Sequence, residues 1–141
     1  MRLLYAIDLR VQDLWRMDDV ARWASHLDAT VDLIFVDPFG NYAPSVLDAE
    51  LAQHLREGLE RSRQADRELL ETALAALPRA SRGAILMEHG DPPTVICERA
   101  DGYDALIVST RGRHGPARMW LGSVAERIVR LHHGDTIVLH A

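Results

Sequence analysis

The chain has 141 residues, 48% of them hydrophobic, and a net charge of −5, the size of one domain with a real core and too short for two ordinary ones. The acidic balance argues against bulk attraction to nucleic acid, and no run of about 18 apolar residues exists to span a membrane. Cys97 is the single cysteine, which excludes an internal disulfide, and Met1-Arg2-Leu3-Leu4 enters a strand with no signal-peptide pattern, so the expectation is a soluble, cytoplasmic protein.

In chain order, Arg2 to Ile7 reads as a first strand with Asp8 at its end. A first helix is predicted over Asp13 to Leu27, with Leu14, Met17, Ala21, Ala24 and Leu27 at helical spacing and with Trp15 and Trp23 as core or interface residues. Thr30 to Val36 is the second strand, stopped by the loop Asp37-Pro38-Phe39-Gly40-Asn41. Pro44-Ser45 opens a long helix whose apolar face is Leu47, Leu51, Leu55 and Leu59, then Ala65, Leu69, Ala73 and Leu77, with Pro78 ending it. Arg79 to Arg82 is the connection and Gly83 to His89 the third strand.

Gly90-Asp91-Pro92-Pro93 then supplies a turn, an Asp N-cap and prolines in the first helical turn, for a short helix over Pro93 to Ala100 closed by Asp101-Gly102. Cys97, within Val95, Ile96 and Cys97, reads as a small buried hydrophobe. Ala105 to Ser109 is a continuous apolar run ending in a hydroxyl, which suits a strand covered on both faces of a parallel sheet. The last helix is predicted over Ser123 to His133 with Val124, Ile128 and Leu131 on its apolar face, and Thr136 to His140 is the fifth strand. Strands alternating with helices imply right-handed crossovers and a parallel sheet with helices on both faces.

The segment after the fourth strand carries the chemistry. Ser109, Thr110, Arg111 and Gly112 are followed by nine residues, Arg113 to Leu121, and then by Gly122-Ser123 at a helix start. The first turn of a helix holds amides without intrahelical partners and the positive end of the dipole, so an anion placed there meets donors. Gly122 removes the Cβ that would hold a phosphate away, and Ser123 adds a hydroxyl. Arg111, Arg113 and Arg118 lie in the same segment of a chain that has no lysine, and arginine offers a planar fork to phosphate.

These residues resemble the nucleotide-binding signature of the universal stress protein family, Gly-x-x-Gly-x9-Gly-(Ser/Thr), with Ser109 standing where the family has its first glycine. The tail Leu121 to Arg130 is similar to the same family, and the resemblance extends over the whole chain. It implies a doubly wound five-stranded parallel sheet of order 3-2-1-4-5, Rossmann-like and close to the adenine nucleotide alpha hydrolase type, as a single domain over 1–141. That order brings the first and fourth strands together at the topological switch point, where open α/β sheets bind ligands. The residues the resemblance places at an adenine nucleotide are Ala6, Ile7, Asp8, Val36 (through its main chain), Val108, Ser109, Arg111, Gly112, Gly122, Ser123 and Val124.

The implied ligand is ATP or a related adenine nucleotide, with Mg²⁺ accompanying a triphosphate. The implied role is a regulatory module in stress response, a homodimer through its C-terminal strand that signals to a further protein. Where the family commonly has a small or hydroxyl-bearing pair after the strand-end Asp, this chain has Leu9-Arg10, and Arg10 either neutralises phosphates or fills their space. A dimeric interaction protein of the same fold that binds no nucleotide is the alternative. No catalytic set is evident, because no Gly-x4-Gly-Lys-(Ser/Thr) loop exists and neither Ser109 nor Ser123 is paired in sequence with a base; slow ATP hydrolysis or autophosphorylation stays an open alternative. His132, His133 and His140 have no acidic or thiol partner at a ligand spacing, so no protein metal site is expected, and His114 reads as an exposed loop residue.

Overall fold

The computed structural model describes residues 1–9, 15–39, 48–110 and 123–140. Five strands and four helices follow one another as β1 (Arg2–Ala6), α1 (Met17–His26), β2 (Thr30–Asp37), α2 (Ala49–Ala75), β3 (Arg82–His89), α3 (Pro92–Ala100), β4 (Ala105–Ser109), α4 (Ser123–Leu131) and β5 (Thr136–Leu139), with one 3₁₀ turn at Arg79–Ser81 before β3. All pairings are parallel, and the sheet order is β3-β2-β1-β4-β5. The expected fold class and order therefore hold.

Two apolar layers sandwich the sheet. On one face Leu3, Tyr5, Leu33 and Ile107 pack under Val20 and Ala24 of α1, under Leu70 and Ala73 of α2 and under Leu77 just after it. On the other face Leu4, Ile34, Leu106 and Val108 pack under Ile96 and Ala100 of α3 and under Ala125 and Ile128 of α4. Each of the large side chains buried here contributes about 1.5–3 kcal/mol of transfer free energy. The central strands are continuous apolar runs because both of their faces are covered.

Local chemistry moved several expected boundaries. The first helix starts at Met17 rather than Asp13; Trp15 precedes it, and Arg16 occupies the N-cap position in the left-handed region at φ 41°. Only Trp23 of the two tryptophans is on α1, and it is exposed. The long helix starts at Ala49 and not at Pro44-Ser45, since Asp48 caps it by accepting the Leu51 N–H at 2.8 Å; Leu47 lies outside the described residues. The helix ends at Ala75, three residues before Pro78. Of its expected apolar face, Leu51, Leu55, Leu59 and Ala65 are exposed, Leu69 is half-buried, and Ala73 and Leu77 are buried together with Leu70, which was not expected there, so the core contact is made by the C-terminal turns.

Smaller shifts affect the other elements. β1 ends at Ala6, one residue before Ile7, β2 runs on through Asp37, and β3 starts at Arg82, one residue before Gly83. α3 begins at Pro92, with Asp91 at the cap position but its carboxylate turned to Thr94 Oγ1 and to the two guanidinium nitrogens of Arg127. α4 stops at Leu131 instead of His133 and buries Ala125 and Ile128, leaving Val124 and Leu131, both expected on its core face, exposed. β5 stops at Leu139 rather than His140. Cys97 is half-buried against the α3/α4 layer with Sγ 4.0 Å from the Ile128 carbonyl, and burial pushes its thiol up.

At the N-terminal end of the sheet a buried acid ties three strands and the α3–β4 turn together. Asp32, inside the apolar run of β2 and 5% exposed, accepts Arg2 Nη2 at 2.8 Å, the Tyr103 hydroxyl at 2.6 Å and the Ala84 N–H at 2.7 Å. Arg2 also lies over the Tyr103 ring, 4.7 Å from its centroid. The β2–β3 register shifts between Val31 and Leu33, facing Arg82 and Ile85, so β3 carries one extra residue where the carboxylate reaches across. Burial pushes the Asp32 carboxyl up, but the hydrogen bonds from Tyr103, Ala84 and Arg2 outweigh it and hold the group below its ordinary value.

Candidate functional site

The register sets the geometry of the opposite, C-terminal end of the sheet. Ala6 pairs with Ile34 on one side and with Val108 on the other, so Asp8 and Ser109, 101 residues apart in sequence, leave the sheet from adjacent strands. From there the chain departs in opposite directions: β1 and β2 connect through helices on one face, β4 and β5 through a helix on the other. A crevice between diverging connections is the place where parallel sheets bind ligands.

The expected residues that the structure describes can be located along that rim. Ala6 and Val108 turn their side chains to the α3/α4 layer, while Ile7 is buried in the α1/α2 layer. The Ile7 N–H donates to the Ile34 carbonyl at 3.0 Å. With a period of two along the strand, the main-chain edge of Val36 faces the same way as that of Ile34, beyond the end of β1; its side chain is buried in the α3/α4 layer. Asp37, by contrast, turns its carbonyl toward β3, where it accepts the Gly90 N–H at 3.1 Å, and its carboxylate accepts the Phe39 N–H at 2.9 Å. Ser123 and Val124 form the exposed first residues of α4. Arg10, Arg111, Gly112, Arg113, His114, Arg118, Trp120 and Gly122 lie outside the described residues.

Ser109 is engaged below the rim. It shares a face with Ile107, toward α1, and its Oγ lies 2.9 Å from the hydroxyl of Tyr5. Tyr5 donates its own hydrogen to the Trp15 carbonyl at 2.7 Å; a phenol has one hydrogen, so Ser109 is the donor of the pair. The indole N–H of Trp15 in turn donates to the Asp8 carbonyl at 3.1 Å. On the outer side, the buried Thr110 has its N–H on the Leu139 carbonyl at 2.9 Å and its hydroxyl 3.4 Å from His140 Nδ1. Arg16, paired with Asp19, donates to the His140 carbonyl. The ends of β1, β4 and β5 and the return into α1 are thus linked by hydrogen bonds around the crevice.

Tyr5, Trp15, Thr110 and His140 were not assigned these roles from sequence. A tyrosine inside Leu3-Leu4-Tyr5-Ala6-Ile7 was a usable signal, because a phenol hydroxyl that enters a core needs partners. Among the described residues no three His, Cys, Asp or Glu side chains are grouped as a metal set, and no helix is long and apolar enough to cross a membrane.

The architecture defines the class: a doubly wound parallel α/β domain with its topological switch point between β1 and β4. The universal stress protein family model matches residues 1–140, and the chain belongs to that family. No curated protein matches the sequence. Among solved structures, the chain is similar to a universal stress protein in complex with cAMP, at 19% identity and TM-score 0.67 over 99% of this chain and 96% of that one. A universal stress protein from Archaeoglobus fulgidus in complex with dAMP matches at 17% identity and TM-score 0.64, over 98% and 96% of the two chains. A third, from Lactobacillus plantarum, matches at 19% identity and TM-score 0.67 over 99% and 97%. At these identities the likeness is one of fold.

Proposed function

We propose that this protein is a cytoplasmic regulatory module of stress response that binds an adenine nucleotide, ATP or a relative of it with Mg²⁺ on a triphosphate, in the crevice between β1 and β4. The observation that carries the reading is the convergence of the Val36 main-chain edge, Asp8 and Ser109 at the switch point. The sequence Gly112, nine residues, Gly122-Ser123 supplies a phosphate cradle leading into α4, whose N-terminal dipole is worth about 0.3–1 kcal/mol to an exposed anion. Amides and arginines, Arg111 among them, supply the remainder. Nucleotide complexes of two proteins of the same fold support the choice of ligand. Isothermal titration with ATP and Mg²⁺, preceded by mass analysis of extracted ligand, tests it: saturable binding that Gly122→Val abolishes is expected, and no heat at millimolar ATP with no carried-over nucleotide refutes it.

The protein acts as a homodimer through β5. This strand is a sheet edge, with Ile137 and Val138 half-buried, and Val124, Val129 and Leu131 are exposed on α4 beside it. An uncovered edge tends to pair with another chain. The carbonyls of Asp135 and Leu139 accept from β4, so by alternation the amide of Val138 faces outward. Val138→Pro removes that outward donor while sparing the bonds to β4, and sedimentation should then report a folded monomer in place of a dimer; an unchanged sedimentation profile removes this interface.

A further inference from the structure

Tyr5 stands where phenylalanine would be the simpler choice. It belongs to the central strand, is 0% exposed, and its ring is packed among Leu3, Val20, Leu33 and Ile107. A buried hydroxyl is tolerated only with partners, and two of its partners are informative. Ser109 Oγ at 2.9 Å is the last residue of β4, and the Trp15 carbonyl at 2.7 Å is the last residue before the α1 cap. Trp15 hands the link on to the Asp8 carbonyl at 3.1 Å. One hydroxyl thus holds, from beneath, the two segments that flank the crevice, and through Trp15 it reaches the strand-end residue at its centre.

We propose that Tyr5 is a positioning residue of the ligand crevice, holding Ser109, Trp15 and, through Trp15, Asp8 in ligand-ready register, so that the serine at the first-glycine position serves as a brace. This rests on the nucleotide-binding reading above. Strand alternation puts Ser109 Cβ on the Tyr5 side of the sheet, so its hydroxyl is spent on the brace and leaves the rim to main chain. Burial pushes the Tyr5 hydroxyl up to about 12, with the Ser109 hydrogen bond opposing; the brace therefore keeps its proton throughout the physiological range.

The test is ATP titration of the intact protein and of Tyr5→Phe, Ser109→Ala, the double variant and Tyr103→Phe. Tyr103→Phe removes a phenol hydroxyl from the Asp32 cluster at the far end of the sheet, and serves as the control for lost stability alone. Tyr5→Phe and Ser109→Ala are each expected to weaken ATP binding by about five- to tenfold, the scale of one lost hydrogen bond. The double variant should be no weaker than the worse single one, because both break the same link. Tyr103→Phe should lower the melting temperature and keep the wild-type affinity. In parallel, hydrogen exchange of the Trp15 indole N–H, followed by NMR without nucleotide, should accelerate in both single variants. Wild-type affinity in Tyr5→Phe and Ser109→Ala, or additive losses in the double variant, overturns the brace and leaves nucleotide binding standing; absence of ATP binding by the unaltered protein overturns the nucleotide reading and the positioning role with it.

Discussion

Replacing Asp32 with alanine is expected to lower the unfolding free energy by about 3 kcal/mol, the cost of breaking a buried, multiply hydrogen-bonded charge, measurable as a lower midpoint in urea. The carboxylate accepts from Arg2, Tyr103 and the Ala84 N–H, and it is the point at which residues from β1, β2, β3 and the α3–β4 turn meet. Truncation leaves the Ala84 amide and the Tyr103 hydroxyl short of an acceptor, and the Arg2 end of the cluster faces solvent, which moderates the loss. Because the Asp32 carboxyl titrates below its ordinary 3.8 in the folded state, its contribution is complete above the unfolded value and disappears as pH falls through the folded one. The stability gap between the natural protein and Asp32→Ala should therefore be widest near neutral pH and shrink steadily below about pH 4. A gap that is constant with pH would show that the loss is one of packing and not of charge.

Gly83→Ala is the companion change and is expected to cost a similar amount, about 3 kcal/mol, through overpacking against backbone. A Cβ at this position would stand 1.9 Å from Asp32 Oδ1 and 2.7 Å from the Val31 carbonyl oxygen, neither of which real structures permit. The carboxylate can swing away only by abandoning Ala84, and the Val31 carbonyl belongs to the β2 main chain. In an Asp32→Ala background the first of these contacts is gone and the second remains, so the two losses should sum to less than their separate values. Strict additivity would mean that the clash is with main chain alone.

Both effects belong to the end of the sheet away from the crevice. The division is physical: the N-terminal edge carries the cluster that fixes register among β1, β2 and β3, while the crevice proposed to take the nucleotide lies at the C-terminal edge. Stability variants at Asp32 or Gly83 should therefore leave ATP affinity intact wherever the protein is still folded.

Much of this was legible in the residues. Strand positions followed from runs such as Leu3 to Ile7 and Ala105 to Val108, because a strand buried on both faces is apolar at every position. The placement of Ser109 at the end of β4 and of Asp8 two residues beyond β1 followed from where those runs stop. The helix bounds were less accurate, since Asp48 caps α2 and the helix does not open at Pro44-Ser45, and Arg16 adopts a left-handed conformation before α1. The stripe Leu51, Leu55 and Leu59 was misread for a reason of scale. Helical periodicity says which residues share a face, and it does not say what stands opposite. The 27-residue α2 is about 40 Å long at 1.5 Å per residue, whereas the eight-residue β3 is about 27 Å, so the helix outruns the sheet and only its C-terminal turns meet the core.

The sequence by itself determined the family, through its motif pattern, and the succession of strands and helices, because hydrophobic period and turn chemistry are local properties of the chain. Tertiary structure alone decided which polar groups inside the apolar runs find one another. Tyr5 and Ser109 are separated by 104 residues and Asp32 and Tyr103 by 71; they meet because β1 pairs with both β2 and β4. A buried hydroxyl or carboxylate announces in sequence only that it needs a partner, and the sheet order selects which one.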